Sequence, residues 1–170
     1  MRAAAAIALV LLISQAEMGR AEEGTGKDAM TWVDQQDNWA IAEGRTEEYT
    51  FQVRFRRVAG DAYRRALPKR LNIFWAMSKP DSAGMASREE IERLHAFEDR
   101  LLAAVEPDGN AILAVVLTGR GEREFVFYVR DPQEFMTRLS AMPQEESRYP
   151  IEVHLTDDPD WEYYTQVVPK

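Results

Sequence analysis

Hydrophobic and polar residues alternate over residues 50–58, TFQVRFRRV, with Phe51, Val53 and Phe55 on one side and Gln52, Arg54 and Arg56 on the other. A period of two marks a strand with one face buried. Residues 71–77, LNIFWAM, are apolar on both sides and predict a central strand. Between them GDAYRRALPKR is punctuated by Gly60 and Pro68 and reads as a connection. The period then changes. Ile91, Leu94, Phe97, Leu101, Leu102 and Val105 recur at three- and four-residue intervals, which predicts a helix. Ser87 and Glu90 open it as a capping box, and Pro107, Asp108 and Gly109 stop it.

Residues 111–118 (AILAVVLT) and 123–129 (REFVFYV) again read as strands, joined by GRGE, a turn of hairpin length. They should pair antiparallel. Asp131 and Pro132 start a second helix whose stripe is Phe135, Leu139 and Met142, and residues 151–156 (IEVHLT) alternate once more. The order strand, strand, helix, strand, strand, helix, strand contains βαββαβ. The expected fold is therefore α+β, a ferredoxin-like core with an extra N-terminal strand and an antiparallel sheet covered on one face by two helices.

The beginning of the chain follows another pattern. Arg2 precedes an unbroken apolar run over residues 3–13, followed by Ser14, Ala16, Gly19 and Ala21. That is the layout of a signal peptide over residues 1–21, cleaved after Ala16 or Ala21, and it places the protein in the periplasm or outside the cell. The run is about half the roughly 20 residues that span a bilayer, so no permanent membrane span is expected. Residues 22–38 are expected to be a flexible mature N-terminus, and residues 39–170 one folded domain.

Composition narrows the chemistry. The absence of cysteine excludes disulfides, thiol nucleophiles, cysteine-ligated zinc and lipoprotein anchoring. A formal net charge of −8 argues against nucleic acid as a partner. His95 and His154 are the only histidines, and neither has a nucleophile-elbow partner. Glu92 and His95 have Glu-x-x-His spacing, but a di-iron bundle needs four helices and two such motifs. Asp157, Asp158 and Asp160 lack the glycine and glutamate of a calcium loop. No metal or other cofactor is expected, and no catalytic residue is assigned. Asp158 before Pro159 reads instead as an Asx-type strand stop, after which Trp161 and Tyr164 fold an aromatic face onto the domain. Seven cations between Arg54 and Arg70, against Asp61 alone, could form an anion or partner patch; a solvated strand face is the plainer reading.

Three groups of residues carry a family resemblance: Glu98 and Asp99 in the first helix; Thr118, Gly119, Arg123, Glu124 and Tyr128 around the hairpin; and Asp158, Pro159, Trp161 and Tyr164 at the end. Over residues 39–169 the chain resembles the bacterial domain of unknown function 695. The resemblance implies a small α+β domain, in some proteins beside domains similar to a regulator of ribonuclease activity, and it implies no established activity. An export signal departs from a cytoplasmic ribonuclease-regulator role. The expected function is a non-catalytic binding or regulatory module of the cell envelope, joined to a protein partner or to itself. Two alternatives stand beside it: a small ligand-binding or hydrolase-like enzyme using Glu98, Arg123, Glu124 and Tyr128, and a cytoplasmic ribonuclease regulator. A carboxylate of the first helix facing the sheet, Glu98, is expected to pair with Arg123.

Overall fold

A computed structural model describes residues 39–45, 49–58, 61–145 and 148–168. The expected signal peptide and flexible segment lie outside the described residues. The elements are β1 (Trp39–Arg45), β2 (Thr50–Arg56), α1 (Asp61–Ala66), β3 (Lys69–Ala76), α2 (Arg88–Val105), β4 (Ala111–Gly119), β5 (Glu122–Val129), α3 (Pro132–Ala141), β6 (Ile151–Asp157) and α4 (Glu162–Val167). The strands form one sheet in the order β1-β2-β4-β5-β3-β6, every neighbour antiparallel.

The fold is α+β, with two corrections to the expected count. Among the described residues the sheet has two strands before β3 rather than one, and four α-helices accompany it rather than two. The helices also do not keep to one face. Leu94, Phe97, Leu101 and Val105 of α2 and Phe135 and Leu139 of α3 pack on Leu71, Ile73, Trp75, Phe125 and Phe127. On the opposite face, Val53, Phe55, Ile112, Val115, Val126 and Tyr128 are closed over by Leu67, which follows α1, and by Trp161 and Tyr164. Burying a large apolar side chain contributes about 1.5–3 kcal/mol, so a second cluster of this size matters to a small domain.

Local chemistry explains the boundaries. The Ser87 hydroxyl caps α2 by accepting from the Glu90 amide at 3.2 Å. The reciprocal half of the expected capping box is absent. The Glu90 carboxylate turns inward to accept from Trp75 Nε1 at 2.8 Å and the Ser78 hydroxyl at 2.6 Å. Burial pushes that carboxyl up, but the bonds from Ser78 and Trp75 outweigh it and hold it below its ordinary value. The β4–β5 connection is a hairpin as expected: Gly119 pairs with Glu122, and Arg120 and Gly121 both take positive φ. In β4 the register shifts between Leu113 and Val115. One extra residue reverses the alternation, so Leu113 and Val116 both face α2, while Ala114 and Val115 face the other cluster.

Candidate functional site

The ending Asp158-Pro159-Asp160-Trp161 acts as a buckle on the face opposite α2. The Asp158 carboxylate accepts from the amides of Glu162 at 2.7 Å and Tyr163 at 3.3 Å, so it serves the unpaired N–H groups at the start of α4. It also accepts from the Tyr128 hydroxyl at 2.7 Å and lies 3.5 Å from Arg70 Nη1. Its own backbone closes the turn, because its carbonyl accepts from the Trp161 amide at 3.1 Å. Trp161, 0% exposed, stacks on Tyr128 with ring centroids 3.7 Å apart and planes 9° from parallel. Its indole N–H donates to the Leu67 carbonyl at 3.0 Å. Tyr164 sends its hydroxyl to the Arg56 carbonyl at 2.7 Å and accepts from the Val58 amide at 3.2 Å. Both aromatic residues are core.

Beside the buckle, Tyr163 donates to Glu124 at 3.0 Å, Asn72 also donates to Glu124, and Arg70 lies 4.4 Å over the Tyr163 ring. Burial raises the pKa of Glu124, which favours its neutral form. Burial likewise pushes the phenols of Tyr128 and Tyr163 well above their ordinary value, helped by the charges of Asp158 and Glu124 respectively.

A second polar group lies on the α2 face. Glu98, 6% exposed, receives a short ion pair from Arg54 across 44 residues of sequence. Arg123, 9% exposed, donates its Nε to Thr118 Oγ1 at 3.0 Å. The expected Glu98–Arg123 pair is thus replaced at close range by Arg54, a residue the helix-and-hairpin reading had not connected to α2. Glu98 still reaches Arg123 through its field: burial lowers the pKa of the Arg123 guanidinium, and the Glu98 charge opposes that shift. The second oxygen of Glu98, Oε2, is buried with no hydrogen-bond partner among the described residues. Next to it Trp39 lies under both Arg54 and Arg56, at 4.6 and 5.0 Å, and Arg56 pairs with Glu106 at 3.2 Å. Glu106 in turn accepts from the Leu113 amide in the β4 irregularity at 2.8 Å.

The structure does not bring Glu98, Arg123, Glu124 and Tyr128 into one site. Arg123 and Glu124 are consecutive in β5 and point to opposite faces, Arg123 with Glu98 toward α2 and Glu124 with Tyr128 toward α4. Asp99 and His95 are exposed on α2. Among the described residues, no three His, Cys, Asp or Glu side chains group so that they could hold a metal ion. The basic stretch is largely spent internally: Arg54, Arg56, Lys69 and Arg70 each meet an acidic partner. Arg54, Arg70, Asn72 and Tyr163 are the network members that sequence reasoning missed. Alternation did place Arg54 on the polar side of its strand, but nothing local named a partner 44 positions away.

The model of a family of unknown function (DUF695) matches residues 37–168. No curated protein and no solved structure matches the chain. Among the described residues no helix is long and apolar enough to cross a membrane.

Proposed function

The chain belongs to the DUF695 family, and from that premise we propose an exported, non-catalytic binding module that joins a second copy of itself through the open edge of β6. The observation that carries this reading is the exposure of Leu155, 55% accessible on a strand that, among the described residues, is hydrogen-bonded only to β3. An uncovered edge with an apolar side chain is a template for another strand. The order of residues in β6 supports a like partner. An antiparallel pair centred on Val153 sets Ile151 against Leu155 and Glu152 against His154, the two side chains that already attract each other within one chain. At the other edge, β1 exposes Ile41 with only alanines and glycine among its other uncharged non-aromatic residues. The marker residues support a non-catalytic role, because Asp158, Tyr128, Glu124, Trp161 and Tyr164 are engaged with one another or with backbone.

The unit β3-α2-β4-β5-α3-β6, with spatial order β4-β5-β3-β6 and α2 and α3 on one face, supports a ferredoxin-like core extended by β1 and β2. Sedimentation of the protein over a range of concentrations tests the edge contact: a dimer is expected, and Leu155→Lys should return it to monomer. A monomer throughout would overturn self-association. Export is tested by the N-terminal sequence and location of the protein in fractionated cells. Uncleaved protein in the cytoplasm would overturn export and revive the ribonuclease-regulator reading.

A further inference from the structure

At the sheet end remote from the aromatic buckle, an open cavity of about 490 Å3 is lined by Arg45, Tyr49, Thr50, Ser82, Ala83, Gly84 and Arg120. Its walls come from the end of β1, the start of β2, the loop before α2 and the β4–β5 turn. Among the described residues the charged lining is of one sign: two guanidiniums, accompanied by three hydroxyl groups, in a protein whose formal net charge is −8. Among the described residues neither guanidinium has a carboxylate within ion-pair distance. The nearby acid, Asp81, contributes no lining; its Oδ1 is occupied by the amides of Ala83 at 2.8 Å and Met85 at 2.9 Å.

The wall is locked rather than loose. Gly121 donates its amide to the Gly84 carbonyl at 2.8 Å and accepts from the Met77 amide at 2.8 Å. A Cβ on Gly84 would come within 2.8 Å of the Arg120 backbone nitrogen, and its φ of +76° disfavours other residues in any case. Arg120 itself has a φ of 56°, at a turn position where asparagine or glycine is the usual occupant. Its guanidinium lies 4.9 Å over the Tyr49 ring, which fixes it at the mouth. A strained backbone that aims a cation into a cavity is a common mark of a ligand clamp.

We propose that this cavity binds a phosphate-bearing small molecule, its phosphate held between Arg45 and Arg120 and its organic body filling the space beside Tyr49, Thr50 and Ser82. Planar guanidinium forks fit phosphate oxygens in pairs, and the volume falls within the range of small-molecule sites and exceeds what a bare phosphate fills. Nothing in β6 contributes to the cavity, so this site stands or falls separately from the edge contact.

Calorimetric titration with phenyl phosphate and with inorganic phosphate tests the proposal, alongside sedimentation with vesicles of phosphatidylcholine with and without phosphatidic acid. Saturable binding is expected, tighter for phenyl phosphate. Arg45→Gln and Arg120→Asn should each weaken it about tenfold or more, asparagine being chosen because it tolerates the left-handed turn. Ser82→Asp keeps both arginines yet should abolish binding by like-charge repulsion. Arg88→Gln removes a charge that does not line the cavity and should change nothing, as should Leu155→Lys. Binding confined to phosphatidic acid vesicles, with the same dependence on Arg45 and Arg120, supports the site and assigns the phosphate to a lipid. Absence of saturable binding to all probes, or equal weakening by Arg88→Gln, would overturn it.

Discussion

Replacing Trp161 with alanine probes the buckle at the residue that contributes most to it. The indole is fully buried, stacked on Tyr128, edge-on to Tyr164 at 5.6 Å, and hydrogen-bonded to Leu67. Truncating a buried tryptophan costs about 3–5 kcal/mol in transfer and cavity terms. The abandoned Leu67 carbonyl and the lost stack, worth about 0.5–1.5 kcal/mol, favour the upper end. Unfolding in urea followed by far-ultraviolet circular dichroism should therefore show a loss of about 4–5 kcal/mol, most of the stability of a marginal domain. Trp161→Phe keeps a ring against Tyr128 and gives up the N–H, so about 1–2 kcal/mol is expected. If the variant only undocks α4 and leaves the rest folded, the denaturant slope falls as well, because less surface remains to expose. A loss below about 1 kcal/mol with an unchanged slope would refute the claim that Trp161 closes the second cluster.

Three further outcomes are expected. Burial raises the phenol pKa values of Tyr128, Tyr163 and Tyr164 above 10.0, so the folded state holds these protons more tightly than the unfolded chain; their stabilisation is complete below about pH 10 and declines above it. The melting temperature should fall between about pH 10 and 11, less steeply in Tyr163→Phe, and a flat profile would contradict the burial of these hydroxyls. Glu98→Ala leaves Arg123 and Arg54 facing each other without a counter-charge, and Arg54→Ala strips the buried Glu98 carboxylate of its hydrogen-bond donor, so each should cost about 3 kcal/mol; losses below about 1 kcal/mol in urea melts would show that Glu98 does not neutralise the pair. Adding a chelator should leave the melting temperature unchanged, and a clear drop would reveal a structural metal.

Periodicity made β2 through β6 and the two long helices legible, because each carries a stripe long enough to count. β1 escaped because its inward residues are Ala40, Ala42 and Gly44, which alternate with larger residues but give little hydrophobic contrast. Gly44 is small for a reason visible only in three dimensions: a Cβ there would sit 2.2 Å from the Phe51 ring. α1 and α4 have six residues each, under two turns, too short to display a helical stripe and dependent on tertiary packing for their existence. The strand stop and aromatic clamp at Asp158, Trp161 and Tyr164 could be read directly, since proline, a capping acid and paired aromatics act locally. The partner of Glu98 could not. Choosing between Arg54 and Arg123 requires knowing that β2 lies beside β4, a long-range pairing that no local pattern encodes.

The buckle also makes the second apolar cluster depend on residues 158–164. The indole of Trp161 reaches the Leu67 carbonyl across 94 positions, so the face formed by β2, β4 and β5 is roofed by residues far along the chain from those they cover. A copy cut before Trp161 would leave Tyr128 and its apolar neighbours bare and the Leu67 carbonyl without its donor. Such a copy carries its defect as a sticky surface, open to proteases and aggregation.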